Sequence, residues 1–205
     1  MKTRRLAVEG ALEFTPRVNR DDRGLFVSVF HETAFEDAHD GPLFPVAQTS
    51  LSASRRDVVR GVHYTATPPG TAKYVHCVRG RALDIVVDLR VGSPTFGRWD
   101  AVELDATGFR AVYYPVGVGH AFVALADDTA LAYLLSRTYD PADERSVDVL
   151  DPELGLPIPR DVAPVLSPRD AAAPTLAEAR ELGLLPDHHE SHVIEKRLSA
   201  PGGTS

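Results

Sequence analysis

The sequence predicts a mostly β fold, a sandwich or barrel with a few short helices at its periphery. First, residues 46 to 136 break into eight short runs, "VAQTSLSAS", "DVVRGVHY", "AKYVHCVRG", "ALDIVVDLR", "RWDAVELD", "RAVYYP", "HAFVALA" and "TALAYLLS", parted by turn-forming residues. Runs this short and this evenly spaced suit packed antiparallel sheets rather than a parallel sheet with crossover helices. Second, 205 residues with 43% apolar and 25% charged composition suffice for one substantial core. Third, "RGVHYTATPPGTAKYVHCVRG" (60–80) reads as two strands around a Pro-Pro-Gly turn, yet spends Arg, Lys, His and Tyr where a packed interior would carry Val and Ile. Polar side chains that return to one face predict a lined cavity.

The elements follow in order. "GLFVSVF" (24–30) is a β-rich run. "ETAFEDAHDG" (32–41) predicts a short helix, with Thr33 and Glu36 at capping-box spacing and Gly41 as its stop. In "ALDIVVDLR", Leu83, Ile85, Val87 and Leu89 face one way and Asp84, Val86 and Asp88 the other. Two readings of that acidic face stand side by side: a solvated edge strand, or a polar lumen. After Pro141 the chain turns to Pro- and Asp-rich loops, then to "PTLAEARELGLL" (174–185), a helix with Thr175 and Glu178 as a capping box and Gly183 near its end. A single domain is expected over 1–185. Residues 186–205 are expected to form a polar C-terminal tail with one more helical turn and a frayed "SAPGGTS" end.

Composition narrows the partners. The formal net charge of −7, with no long basic stripe, excludes general nucleic-acid affinity, although local Arg and Lys can still grip a small anion. The single cysteine, Cys77, lies in an apolar run and reads as a buried, inert thiol, which fits a reducing cytosol. "MKTRRLAVEGALEF" has no apolar run of signal-peptide length, and no stretch approaches a membrane span. A cytoplasmic protein is expected.

"YYPVGVGHAF" (113–122) carries Pro-x-Gly-x-x-His at Pro115, Gly117 and His120. That spacing resembles the second half of the cupin signature, and with it the β-rich pattern implies a cupin-type jelly-roll barrel. Metal-binding cupins add His-x-His and a nearby Glu, whereas "GVHYTATPPGTAKY" offers His63 alone, followed by Tyr64 and Thr65. Two imidazoles hold a divalent metal poorly, so no metal and no other cofactor is expected. His31, His39, His76, His188, His189 and His192 read as solvated or core residues.

His63 and His120 therefore need another role. "VVRGVHY", "TAKYVHCVRGRALDIVVDLRVGSPTFGRWD", "YPVGVGHAFVAL", "YLLSRTYDP" and "SPRDAAAP" occur in an order that resembles the dTDP-4-dehydrorhamnose 3,5-epimerase family, the dTDP-4-keto-6-deoxyhexose epimerases, over residues 5–185. The variants here look most like members from antibiotic deoxysugar pathways, including 5-epimerases. The resemblance implies inversion of a carbon beside a 4-keto group: a proton is removed, an enolate forms, and a proton returns to the opposite face.

It also implies roles. His63 is the general base, a group poised near neutral pH that contributes on the order of 10²–10⁴-fold. Asp170 orients it, Lys73 stabilises the enolate oxygen, and Tyr133 is the acid. Arg60 and Arg23 match diphosphate and nucleotide contacts; Phe26, Gln48 and Tyr139 match thymidine contacts; His120 and Asp84 line the cavity; Arg169 stands where the family usually has Lys. Taken alone, Asp170 reads as a turn residue, Lys73 as solvated and Tyr133 as a core aromatic. The family's N-terminal strand completes a partner's nucleotide site, which implies a homodimer.

Three positions depart from the family pattern: Ser28 replaces Glu, Ser50 replaces Asn, and Thr65 replaces Gln. The expected function is a dTDP-4-keto-6-deoxyhexose epimerase, with C5 the favoured centre and C3, or both, the alternatives. A 3,4-ketoisomerase and a non-catalytic nucleotide-sugar binder are the competing readings.

Overall fold

The computed structural model describes residues 1–199. Its strands are β1 (Lys2–Arg5), β2 (Leu12–Thr15), β3 (Val18–Asp21), β4 (Gly24–Val27), β5 (Gln48–Ser54), β6 (Val59–Thr65), β7 (Lys73–Arg79), β8 (Arg81–Asp88), β9 (Trp99–Asp105), β10 (Ala111–Tyr114), β11 (Val118–Ala124), β12 (Thr129–Leu135) and β13 (Glu144–Ser146). Helix α1 (Glu32–His39) precedes β5, and α2 (Pro168–Ala171), α3 (Leu176–Glu181) and α4 (His188–Leu198) follow β13. All eight runs expected between 46 and 136 are strands.

The pairing is that of a long ribbon folded over on itself: β8 pairs with β9, β7 with β10, β6 with β11 and β5 with β12, every pair antiparallel. Wrapping that ribbon yields two sheets, in the orders β1-β2-β10-β7-β12-β5 and β13-β6-β11-β8-β9. This is jelly-roll order. The expected jelly roll is present, with its two sheets not joined by hydrogen bonds into a closed barrel but facing each other as a sandwich.

Strand alternation then builds three apolar layers. Val75, Cys77, Val112 and Leu131 of the six-stranded sheet meet Val86, Val102, Leu104 and Phe122 of the five-stranded sheet in the middle. The outer face of the five-stranded sheet, with Ile85, Val87 and Leu89, lies under the 147–166 loops and α3. Part of the outer face of the six-stranded sheet, with Phe14, Tyr74 and Tyr113, lies under α1 and α4. β8 sits between β11 and β9, not at an edge, so Asp84 and Asp88 point inward and are fully buried. Of the two readings of that face, the polar interior is the one observed.

Local expectations fare unevenly. The Thr175–Glu178 capping box forms, and Gly183 takes a positive φ of 64° after α3. The Thr33 box does not: α1 starts two residues earlier, with His31 at the N-cap and no side-chain cap. That placement puts Phe35 into the aromatic cluster with Phe14 and Tyr113. The helix stops at Asp40, left-handed at φ 64°, rather than at Gly41. In "GLFVSVF" only Gly24–Val27 is strand, because Val29 and Phe30 leave it to pack on the outer cluster.

The largest difference is at the C-terminus. In place of one turn, α4 runs eleven residues from the N-cap Asp187. Ile194 and Leu198 pack on the outer cluster, and Glu195 accepts the Val116 N–H (2.7 Å) and the Tyr113 hydroxyl. Of the "SAPGGTS" end expected to fray, residues 200–205 lie outside the described residues.

Candidate active site

Several inward positions on the facing strands are polar. Their placement depends on an irregularity in β6. His63 is the cross-strand partner of His120, but Arg60 is the partner of Phe122, so β6 fits one residue more than β11 at this point. Three residues apart, Arg60 and His63 would face opposite ways on a regular strand; the extra residue returns both to one side. Gly61 makes the irregularity possible. It has φ 120°, and a Cβ there would fall 2.6 Å from the Ala121 Cα and the His120 carbonyl oxygen.

His63 Nε2 lies 2.6 Å from Asp170 Oδ1. The carboxylate fixes the ring proton on Nε2 and leaves the Nδ1 lone pair available as a base. Asp170 is buried in α2, whose N-cap Ser167 accepts the Asp170 N–H. Burial pushes its carboxyl up, but the His63 hydrogen bond and charge, with Ser167 and Arg169, outweigh it and hold it below the usual carboxylate range. His63, Asp170, Arg60 and Arg169 line one cavity of about 270 Å³. Arg60 is steadied by Ser54 Oγ at 3.2 Å.

A second cavity, of about 370 Å³, is lined by Lys73, Tyr133, Gln48, Ser50, Tyr139 and Glu144, among others. Burial lowers the Lys73 ammonium pKa, opposed by the charge of Glu144. The Tyr133 hydroxyl is 3.1 Å from Ser52 Oγ. Burial, opposed by the Ser52 hydrogen bond and reinforced by the charge of Asp84, pushes its pKa up to about 12, so the phenol keeps its proton near neutral pH. Gln48 donates to Ser50 Oγ (2.8 Å) and accepts the Tyr139 N–H (2.8 Å), while Thr65 donates to Glu144 (2.9 Å). Two of the three departures, Ser50 and Thr65, thus belong to this neighbourhood; Ser28 does not line either cavity.

His120 links the two groups. It pairs across the strands with His63, and its ring meets the Tyr133 ring edge-on, at 60° with centroids 5.9 Å apart. Its Nε2 is 2.6 Å from Asp84 Oδ1. Among the described residues, no three His, Cys, Asp or Glu side chains converge as metal ligands.

The structure does not bring every expected residue together. Arg23 and Phe26 sit on the separate β3–β4 hairpin, outside both cavities; Arg23 pairs with Asp21 at 2.6 Å, and Phe26 is 70% exposed. Sequence reasoning missed Glu144 and Ser52. The Gln48, Ser50, Ser52, Ser54 alternation could have revealed Ser52, whereas nothing around the short β13 marks Glu144.

Comparison with known proteins settles the kinship. Residues 5–178 match the family described as dTDP-4-dehydrorhamnose 3,5-epimerase. The chain belongs to that family. It is 50% identical over 202 residues to a dTDP-4-dehydrorhamnose 3-epimerase of Streptomyces niveus, covering 98% of this chain and 97% of that one. Among solved structures it resembles a 4-keto-6-deoxy sugar epimerase from the novobiocin biosynthetic gene cluster of Streptomyces spheroides (TM-score 0.89, 51% identity, 93% of this chain and 95% of the other). It also resembles a 3'-monoepimerase from Streptomyces bikiniensis in complex with dTDP-quinovose (TM-score 0.90, 47% identity, 96% and 98%). The epimerase family's cupin-type jelly roll is the fold of this chain, with its sheets open at the edges.

Proposed function

We propose that the chain inverts one carbon next to the 4-keto group of a dTDP-linked 6-deoxyhexose, in deoxysugar (antibiotic) biosynthesis in the cytoplasm. The observation that carries this reading is the His63–Asp170 pair, with His63 on the five-stranded sheet and Asp170 on α2, beside His120, whose ring meets that of Tyr133 on the six-stranded sheet, where Lys73 and Tyr133 line one cavity. His63 Nδ1 takes the proton alpha to the carbonyl, and Asp170 supports the imidazolium that results. The electron pair moves to the carbonyl oxygen, where the buried Lys73 ammonium acts in a dry site. Tyr133 delivers its proton from the other side of the ring, and solvent restores both groups to their starting states. Arg60 and Arg169 supply cations for the diphosphate, and Gln48 and Tyr139 hold the base.

The centre inverted is the finer question. The family resemblance in the sequence favours C5. The similar proteins described as a 3-epimerase and a 3'-monoepimerase, at 50% and 47% identity, move our reading to C3. With the wild-type enzyme and dTDP-4-keto-6-deoxyglucose in D₂O, NMR should show deuterium and inversion at C3. Deuterium at C5 alone returns the reading to a 5-epimerase, a displaced carbonyl makes it a ketoisomerase, and binding without exchange makes it a binder.

The same reading includes a homodimer. Leu51, 66% exposed, and Val78 lie on the part of the six-stranded sheet's outer face that α1 and α4 leave bare, and the nearby His76 Nδ1 is buried without a hydrogen-bond partner among the described residues. A second copy on this face would cover them, and the exposed Phe26 and Arg23 of the hairpin would then be free to reach the partner's nucleotide.

A further inference from the structure

One buried polar side chain plays no part in the chemistry above. Tyr114, on β10, is fully buried and donates its hydroxyl to Asp84 Oδ2. The other Asp84 oxygen takes His120 Nε2, and the His120 ring packs 4.6 Å from the Tyr114 ring before meeting Tyr133. These four side chains cross between the sheets: Tyr114 and Tyr133 come from the six-stranded sheet, Asp84 and His120 from the five-stranded one. We propose that Tyr114 is a positioning residue of the epimerisation site, whose hydroxyl locks Asp84 so that His120 holds Tyr133 in line with the sugar ring.

The inference rests on reading Tyr133 as the acid. Its physical basis is the state of Asp84, a carboxylate with no exposure and both oxygens engaged, which has one orientation available. Phe at 114 would fill nearly the same volume, but it would leave one oxygen dry and unbonded, so the carboxylate would turn toward another donor. His120 would then lose its fixed partner. Burial and the Asp84 charge push the Tyr114 pKa well above the usual phenol value, so the hydroxyl is a permanent donor. A purely volume-filling role would not require the hydroxyl.

The test compares wild type, Tyr114→Phe, His120→Asn and the double variant. It measures dTDP affinity by calorimetry, turnover, and deuterium in substrate recovered from D₂O before inversion. A misplaced acid lets the enolate be reprotonated from the face it left, so deuterium should build up in uninverted substrate. Tyr114→Phe should leave dTDP affinity within about twofold while turnover falls about 10- to 100-fold, the loss of a hydrogen bond to a charged group. Because the effect passes through His120, the double variant should be no worse than His120→Asn. Unchanged deuterium partition in Tyr114→Phe, or losses that multiply in the double variant, overturns the proposal. If Tyr114→Phe alone does not fold, Asp84→Asn, which strands no charge, is compared with wild type instead; an unchanged deuterium partition in that variant also overturns the proposal. Absence of exchange in the wild type removes the epimerase reading and the positioning role together, whereas normal wild-type exchange with an indifferent Tyr114 removes only the latter.

Discussion

Lys73 reaches the interior because it opens β7 on the same face as Val75 and Cys77, and burial there lowers its pKa from the ordinary 10.5. The sign of its effect on stability follows. Between the lowered folded value and 10.5 the unfolded chain holds more protons than the native one, so stability rises with pH across that window. Below it both states are protonated and the full cost of burying the ammonium is present. Lys73→Met should therefore stabilise the fold by about 1 kcal/mol near neutral pH while lowering activity steeply. Urea unfolding across pH should show that gain shrinking as pH approaches 10.5; a neutral-pH loss of stability would mean that Lys73 is well paired. In the sequence, Lys73 is legible as a site residue only through family resemblance, since a Lys after a Pro-Pro-Gly turn ordinarily projects into water. Glu144, which offsets its charge, has no such signal because three residues of strand set no periodicity.

At the scale of elements, the eight central strands are legible because alternation and turns agree there. The irregularity in β6 is not: it shows only when His63 and Arg60 are paired with β11, although Gly61 marks its position. Gly61→Ala should destabilise by about 2–4 kcal/mol, from a clash with backbone and a strained φ. Folded Gly61→Ala of wild-type stability and activity would show that β6 can pair without the extra residue. Helix α4 was hidden for a different reason. It docks as much by hydrogen bonds as by apolar burial: Glu195 joins Tyr113 and the Val116 N–H, Ser191 is buried, and only Ile194 and Leu198 reach the outer cluster. A helix held this way leaves a faint apolar stripe and reads as a polar tail. Glu195→Ala should cost about 1–3 kcal/mol in denaturant unfolding, because it leaves buried donors unpaired, with kcat unchanged. A matching fall in kcat would tie α4 to the site.

For the whole molecule, jelly-roll wrapping pairs strands from opposite halves of the chain and puts the proposed base on β6 in one sheet and the proposed acid on β12 in the other. The wrapping also leaves β5 as an edge with Leu51 outward. If a second copy covers this face, Leu51→Asp should yield a monomer by analytical ultracentrifugation and weaken dTDP binding; a wild-type monomer would contradict the homodimer. The central claim is that removal and return of the proton belong to different residues on different sheets. Its most direct measurement is NMR of deuterium exchange and net inversion, followed in parallel in D₂O for His63→Asn and Tyr133→Phe with dTDP-4-keto-6-deoxyglucose. The account predicts that His63→Asn abolishes both, whereas Tyr133→Phe retains exchange and loses about 10²–10⁴-fold in inversion. Undiminished exchange in His63→Asn, or full inversion in Tyr133→Phe, would contradict it.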